Sequence, residues 1–171
     1  MKLAYLLCFS VASAFGLPAP AEVAGVGNFH QVDQNVYRGA QPTDEGFQNL
    51  AKLGIKTIID LRHGNEHADA ERKAAESAGL HYINVPMEGL DPPTDQQISK
   101  LITVLETADQ APVFVHCREG KDRTGAVVAS YRIAHDHWTN EKALEEAKAC
   151  GLHSTQHPRT NFILNFVPNV L

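Results

Sequence analysis

The feature that most restricts the fold is a short apolar run, Pro112-Val113-Phe114-Val115, passing directly into the polar stretch His116-Cys117-Arg118-Glu119-Gly120-Lys121-Asp122-Arg123-Thr124-Gly125. A run of this kind reads as a strand buried on both faces, which is the habit of parallel sheets. Gly125 to His137 reads as a buried helix, so the polar stretch must carry a strand into a helix over one tight loop. Parallel strands need helical crossovers, and the rest of the chain supplies them in alternation. Asn28 to Val32 and Asn35 to Gly39 read as short strands around a turn at Asp33-Gln34. Thr43 can cap a helix whose apolar side is Phe47, Leu50, Ala51 and Leu53, with Gly54 as its stop. Ile55 to Leu61 is a buried-type strand, Glu66 to Ala78 a helix ended by Gly79, and Leu80 to Val85 the next strand. Pro86 to Pro93 must be loop, Thr94 caps a helix to about Asp109, Thr139 or Asn140 starts another that stops at Gly151, and a last helix follows Pro158. The expected fold class is α/β, with a central, mostly parallel twisted sheet of four to five strands flanked by helices on both faces. Ligands of such sheets bind beyond the carboxyl ends of the strands. The loop after Val115 stands at one of them.

A length of 171 residues suits one compact domain, placed at 28–171 and expected to be a monomer. The net charge of −5 argues against a general nucleic-acid binder. A chain with this balance that handles anions must gather its positive charge locally, and Arg118, Lys121 and Arg123 do gather inside the loop. Ahead of the domain, Lys2 is followed by an uncharged, largely apolar run from Leu3 to Gly16 and a Pro/Ala segment from Leu17 to Ala21. That is the pattern of a secretory signal peptide over 1–21, cleaved after Ala21 or Ala14, with 22–27 as a linker. The run is shorter than the roughly 20 residues a membrane span needs, so the expected product is exported, periplasmic or secreted, without a membrane span. Removing Cys8 with the leader leaves Cys117 and Cys150, too few for a disulfide scaffold, although one bridge between them is open.

Each part of the loop has a chemical use. A thiol becomes a good nucleophile when it ionises, and a helix N-terminus with converging N–H groups and cationic neighbours lowers its pKa. The same N–H groups can hold the non-bridging oxygens of a phosphate. Arg123 offers a planar fork for two oxygens, Gly120 permits the backbone turn, and Thr124 can hydrogen-bond the Cys117 sulfur. His116 is placed to steady the loop from behind. Arg118, Glu119, Gly120, Lys121, Asp122 and Arg123 are therefore the candidate phosphate-binding set.

His-Cys-x5-Arg-Thr-Gly resembles the phosphate loop of the cysteine-dependent protein tyrosine and dual-specificity phosphatases. The resemblance extends to Val36-Tyr37-Arg38-Gly39-Ala40-Gln41-Pro42, to Ile55 to Arg62 and to the Pro/Asp loop near residue 91, about Asn28 to Phe166 in all. Small bacterial members with Gly-Lys-Asp-Arg-Thr-Gly in the loop are the nearest in pattern. The resemblance implies hydrolysis of phosphate monoesters through a phosphocysteine, no metal or other cofactor, and an aspartic acid on a mobile loop as general acid. Candidates for that acid are Glu88, Asp91 and Asp95. Asp91, between Leu90 and Pro92, is favoured by placement, whereas Asp95 falls in a first helical turn where it complements the dipole. Phosphorylated proteins (on tyrosine, serine or threonine) and inositol phosphates or phosphoinositides are the expected substrates, the latter because Arg118 and Lys121 add cations at the rim. Asp122 opposes them.

Three other readings compete. His63-Gly64-Asn65-Glu66-His67 matches a zinc-hydrolase pattern, but Gly64-Asn65 follows a strand and no third ligand is evident. A sulfur-transferring Cys-loop enzyme also puts a Cys between strand and helix, yet needs neither an acid loop nor a following Thr. A non-enzymatic phosphate-binding module would not need Cys117, Arg123 and Thr124 together. His135, His137, Trp138, Tyr37, Tyr82, Arg38 and Arg62 read as structural, with Arg62 open to pairing with Asp60 or Glu66 or to facing the site.

Overall fold

The computed structural model describes residues 22–63, 66–88, 90–107 and 109–168. The leader at 1–21 and both cleavage sites lie outside them. Five strands, β1 (His30–Gln31), β2 (Val36–Ala40), β3 (Thr57–Asp60), β4 (His81–Asn84) and β5 (Val113–Cys117), form one sheet in the order β1-β2-β5-β3-β4. β1 runs antiparallel to β2, and all other neighbours are parallel. Six helices complete the chain: α1 (Asp44–Lys52), α2 (Glu66–Ser77), α3 (Asp95–Glu106), α4 (Asp122–Ala134), α5 (Asn140–Ala149) and α6 (His157–Asn165).

The two-residue period of a strand makes central β5 a divider between two cores. Val113, Val115 and Cys117 pack with Ile98, Leu101 and Leu105 of α3 and Val127, Val128 and Tyr131 of α4. Phe114 packs on the other face with Phe47 and Leu50 of α1 and Ala75 of α2, and stacks on His116 at 5.8 Å between ring centroids. The periodicity thus sends Cys117 to one face and His116 to the other. Ala129 and Ile133 of α4 join Ala143, Leu144 and Ala147 of α5 and Ile163 of α6 in a third cluster, which anchors the helix that follows the loop.

Capping places the helix starts. Thr43 accepts from the Gly46 N–H at 3.2 Å, Thr139 caps α5, and Thr94 forms a reciprocal capping box with Gln97. Several boundaries differ from the sequence expectation, three of them at β5, α4 and α3. β5 continues through His116 and Cys117 because Gly39 and Ala40 of β2 pair with them. α4 begins at Asp122 rather than Gly125, so Arg123 and Thr124 sit in its first turn, where the Gly125 N–H closes onto Lys121 O at 2.7 Å. α3 stops at Glu106, short of Asp109.

Residues 22–27 are no free linker. Val23 and Val26 are buried, Gly25 O accepts from the Thr43 N–H at 2.9 Å, and Gly27 O accepts from the Ala40 N–H at 2.7 Å. Trp138 precedes α5 half-buried, with the Arg132 guanidinium 4.4 Å and the Lys142 ammonium 3.7 Å from its ring centroid. Among the described residues no helix is long and apolar enough to cross a membrane.

Candidate active site

Cys117 ends the central strand and is almost fully buried. Residues 118–121 turn the chain, and α4 starts with Lys121 at its N-cap and no side chain capping it. An uncapped helix start leaves its first N–H groups for a ligand. Burial by itself would push the Cys117 thiol up. The neighbouring Thr124 hydroxyl and N–H, the charge of Arg123 and the Glu119 N–H outweigh it and hold the thiol below its ordinary value. Cys150 is also a free thiol.

Behind the nucleophile lies a second layer of charge. His116 Nδ1 donates toward Cys117 O at 3.2 Å, and Nε2 meets Glu71 of α2 at 2.9 Å. Complete burial favours the neutral ring, but the bond and charge of Glu71, with Asp60 behind it, raise the His116 pKa above its ordinary value. Arg62 contacts Glu71 and also bonds Asp60 through Nε at 2.9 Å and Nη2 at 2.8 Å. Tyr82 donates to Asp60 at 2.7 Å. Asp60, Glu71 and His116 have the donor types of a metal site, yet the Arg62 guanidinium already supplies both carboxylates with a cation. Arg62 therefore pairs with Asp60, one of its expected partners, and with Glu71; the Glu66 side chain lies outside the described residues.

The candidate acids separate clearly. Glu88 is exposed and its carboxylate meets His63 Nδ1 at 3.0 Å. His63 precedes α2, so it does not share a helix with Glu66, as the zinc pattern required, and the side chains of Glu66 and His67 lie outside the described residues. Asp95 opens α3. Asp91 is an exposed loop residue whose charge is felt by Arg159 of α6, along with those of Cys117, Asp122 and Arg123. Arg159 is fully buried and donates from Nη2 to Glu88 O at 2.7 Å, while Arg123 Nη1 reaches Met87 O at 3.5 Å. Two guanidiniums thus tie the acid-bearing loop to the thiol. The sequence reading missed Arg159, which lies far along the chain with no local motif around it.

At the rim, Arg118 is exposed and Lys121 pairs with Glu119 at 3.1 Å. Asp122 turns away from the loop mouth. Its carboxylate accepts from the His153 N–H at 2.9 Å and meets His153 Nδ1 at 2.9 Å, pinning the segment between α5 and α6.

The family model described as DSP-PTPase phosphatase fused to NAD+ kinase matches residues 22–163, which include every element of this site. The chain belongs to this dual-specificity phosphatase family. Inositol diphosphatase DSP3 of Arabidopsis thaliana is 31% identical over 144 residues, covering 81% of this chain and 70% of DSP3. Dual specificity protein phosphatase TpbA of Pseudomonas aeruginosa (strain UCBPP-PA14) is 28% identical over 125 residues, covering 72% of this chain. The chain spans only 55% of TpbA's length. The fold agrees with the core catalytic domain of the S. cerevisiae PP-IP phosphatase SIW14, at a TM-score of 0.74 and 22% identity over 87% of this chain and 91% of that one. The crystal structure of P. aeruginosa TpbA gives a TM-score of 0.71 at 23% identity, over 84% and 91%.

Proposed function

We propose that the chain hydrolyses phosphate monoesters through a phosphocysteine on Cys117. The observation that carries this reading is a buried thiol held below its ordinary pKa at an uncapped helix start, with Arg123 and Thr124 in the first turn. The thiolate attacks phosphorus opposite the ester oxygen, the loop N–H groups and the Arg123 fork hold the three equatorial oxygens, and Asp91 protonates the departing alkoxide or phenoxide. Asp91, now a carboxylate, takes a proton from water, which attacks the phosphocysteine. The sulfur leaves as a thiolate that the Thr124 hydroxyl stabilises, and inorganic phosphate is released.

The substrates proposed are phosphoproteins and inositol phosphates. The names of the relatives support both, TpbA as a dual-specificity phosphatase and DSP3 as an inositol diphosphatase. The rim supports the more highly charged class, because His153 draws off the Asp122 carboxylate that would repel neighbouring phosphates. The leader-like pattern at 1–21 supports work outside the cytoplasm. A panel of phosphotyrosine peptide, phosphothreonine peptide, inositol phosphates and p-nitrophenyl phosphate tests the reading. Turnover is expected on p-nitrophenyl phosphate and on inositol phosphates, falling at least about 10³-fold in Cys117→Ser. Activity on phosphotyrosine alone would remove the inositol class, and activity surviving Cys117→Ser would remove the mechanism.

A further inference from the structure

The loop around Cys117 is held from its far side by two side chains outside the reacting set. The carbonyls of three successive residues are drawn toward β2 and the segment before it. Arg118 O accepts from the Gln41 N–H at 3.3 Å, and Glu119 O lies 3.4 Å from Asn28 Nδ2. Gly120 O accepts twice, from Asn28 Nδ2 at 3.1 Å and from Arg38 Nη2 at 2.9 Å. In a trans peptide plane the C=O and the following N–H point in opposite directions. Pulling these carbonyls back therefore turns the N–H groups of Glu119, Gly120 and Lys121 the other way, toward the sulfur, which the Glu119 N–H reaches.

The ladder places both anchors. Arg38 pairs in register with Val115, two residues before the nucleophile, and Gly39 with His116. Gly120, at φ 70, lies so close to Gly39 that a Cβ there would sit 2.3 Å from the Gly39 carbonyl carbon. Asn28 adopts φ 49, which its short polar side chain tolerates, and its carboxamide also donates to Cys150 O at 3.0 Å, binding the end of α5 to the loop.

Packing does not account for Arg38. Its side chain is fully buried, and Nε and Nη1 find no hydrogen-bond partner among the described residues. A desolvated guanidinium with one satisfied nitrogen weakens a fold that an apolar side chain of similar size would serve better. Departures of this kind collect where a structure serves chemistry.

We propose that Arg38 and Asn28 are positioning residues of the phosphate loop: by gripping the Glu119 and Gly120 carbonyls they aim the loop's N–H groups at the oxyanion. This rests on the reading of that loop as a phosphate cradle. The test measures the orthophosphate inhibition constant, kcat/KM on p-nitrophenyl phosphate and the thermal unfolding midpoint of the full chain. The variants are Arg38→Met, Arg38→Lys and Asn28→Gly, the last of which removes the carboxamide and keeps a residue that accepts positive φ. In Arg38→Met the inhibition constant is expected to rise about tenfold and kcat/KM to fall about 10²-fold, the scale of a lost oxyanion donor, without a matching fall in the midpoint. Arg38→Lys, which keeps a charge and a donor, recovers part of both, and Asn28→Gly shows a smaller loss in the same direction. Inhibition constants within about twofold of wild type in Arg38→Met and Asn28→Gly would overturn the proposal. If Arg38→Met does not fold, Asn28→Gly decides by the same criterion. A wild-type chain that neither turns over the ester nor responds to orthophosphate would overturn the phosphatase reading itself, a result distinct from an active wild type with indifferent variants.

Discussion

Thr124→Val removes a hydroxyl that acts on the Cys117 thiol. Thr124 is completely buried in the first turn of α4, and valine has the same β-branched outline, so the change opens no cavity. The Thr124 hydroxyl is the largest of the influences that lower the thiol, ahead of the Thr124 N–H, the Arg123 charge and the Glu119 N–H, all of them set against the burial that raises it. A hydrogen bond to a charged acceptor is worth about 1.5–3 kcal/mol, and one pKa unit corresponds to about 1.4 kcal/mol. Losing the hydroxyl should therefore remove up to about 1.5–3 kcal/mol of support for the thiolate and raise the Cys117 pKa. The assay is the rate of alkylation by iodoacetate across pH, in a Cys8→Ser, Cys150→Ser background that leaves one thiol. The inflection is expected to move up in Thr124→Val and to return toward its starting point in Thr124→Ser. An inflection that stays put in Thr124→Val would refute the assignment of the hydroxyl. A starting inflection at the value of free cysteine would refute the whole electrostatic account of the loop.

Two further outcomes separate roles within the site. Asp91→Asn should lower turnover about 10²-fold or more while leaving orthophosphate inhibition intact, whereas Glu88→Gln, which loosens an exposed pair with His63, should change turnover little; the reverse result would move the acid role to Glu88. The pH dependence of stability has a definite sign on each side. His116 is raised above its ordinary 6.5 in the fold, so its contribution is fully present below about pH 6.5 and is lost as pH rises through the folded value. Asp60 is lowered from 3.8 by Arg62, His116 and Tyr82 against the opposing effect of burial, so its contribution is present above that value and is lost as pH falls through the folded one. Thermal melts across pH should show both limbs, and Glu71→Gln should flatten the alkaline one; an alkaline limb unchanged in Glu71→Gln would detach His116 from it.

The sequence was most legible where chemistry and local structure coincide. The strand into β5, the polar turn and the helix beyond it could be read from hydrophobic periodicity, and the Cys117, Arg123 and Thr124 side chains come together because they share that turn. The buried helix reads from Gly125 onward in the sequence, yet Gly125 lies inside the first turn of α4 with its N–H closing onto Lys121 O. Contacts between distant segments were harder to read. Arg38 reads as a strand-end arginine because its acceptor is a main-chain carbonyl 82 residues away, and a carbonyl leaves no trace in a sequence. Nearness in sequence offers Arg62 the partner Asp60, which it takes, but gives no sign of Glu71, which the docking of α2 brings to it. Arg159 has no neighbouring motif, since α6 meets the acid-bearing loop only in the folded chain.

Charge balance links these late-found residues to the choice of substrate. On the far face of the sheet the carboxylates of Asp60 and Glu71 meet Arg62 and His116 locally. On the near face Arg38, Arg123 and Arg159 all act electrostatically with Cys117, and each donates to a neutral main-chain carbonyl. The nearest loop carboxylate, Asp122, is turned to His153. Three guanidiniums act on one thiolate, with Glu146 also acting on Arg38 and Asp122 and Asp91 on Arg159. A phosphate ester supplies three non-bridging oxygens for the Arg123 fork and the loop amides, and its departing oxygen uses the acid that Asp91 offers, which sulfur transfer does not need. The arrangement therefore favours a phosphate ester over the persulfide chemistry that a Cys loop between strand and helix otherwise allows.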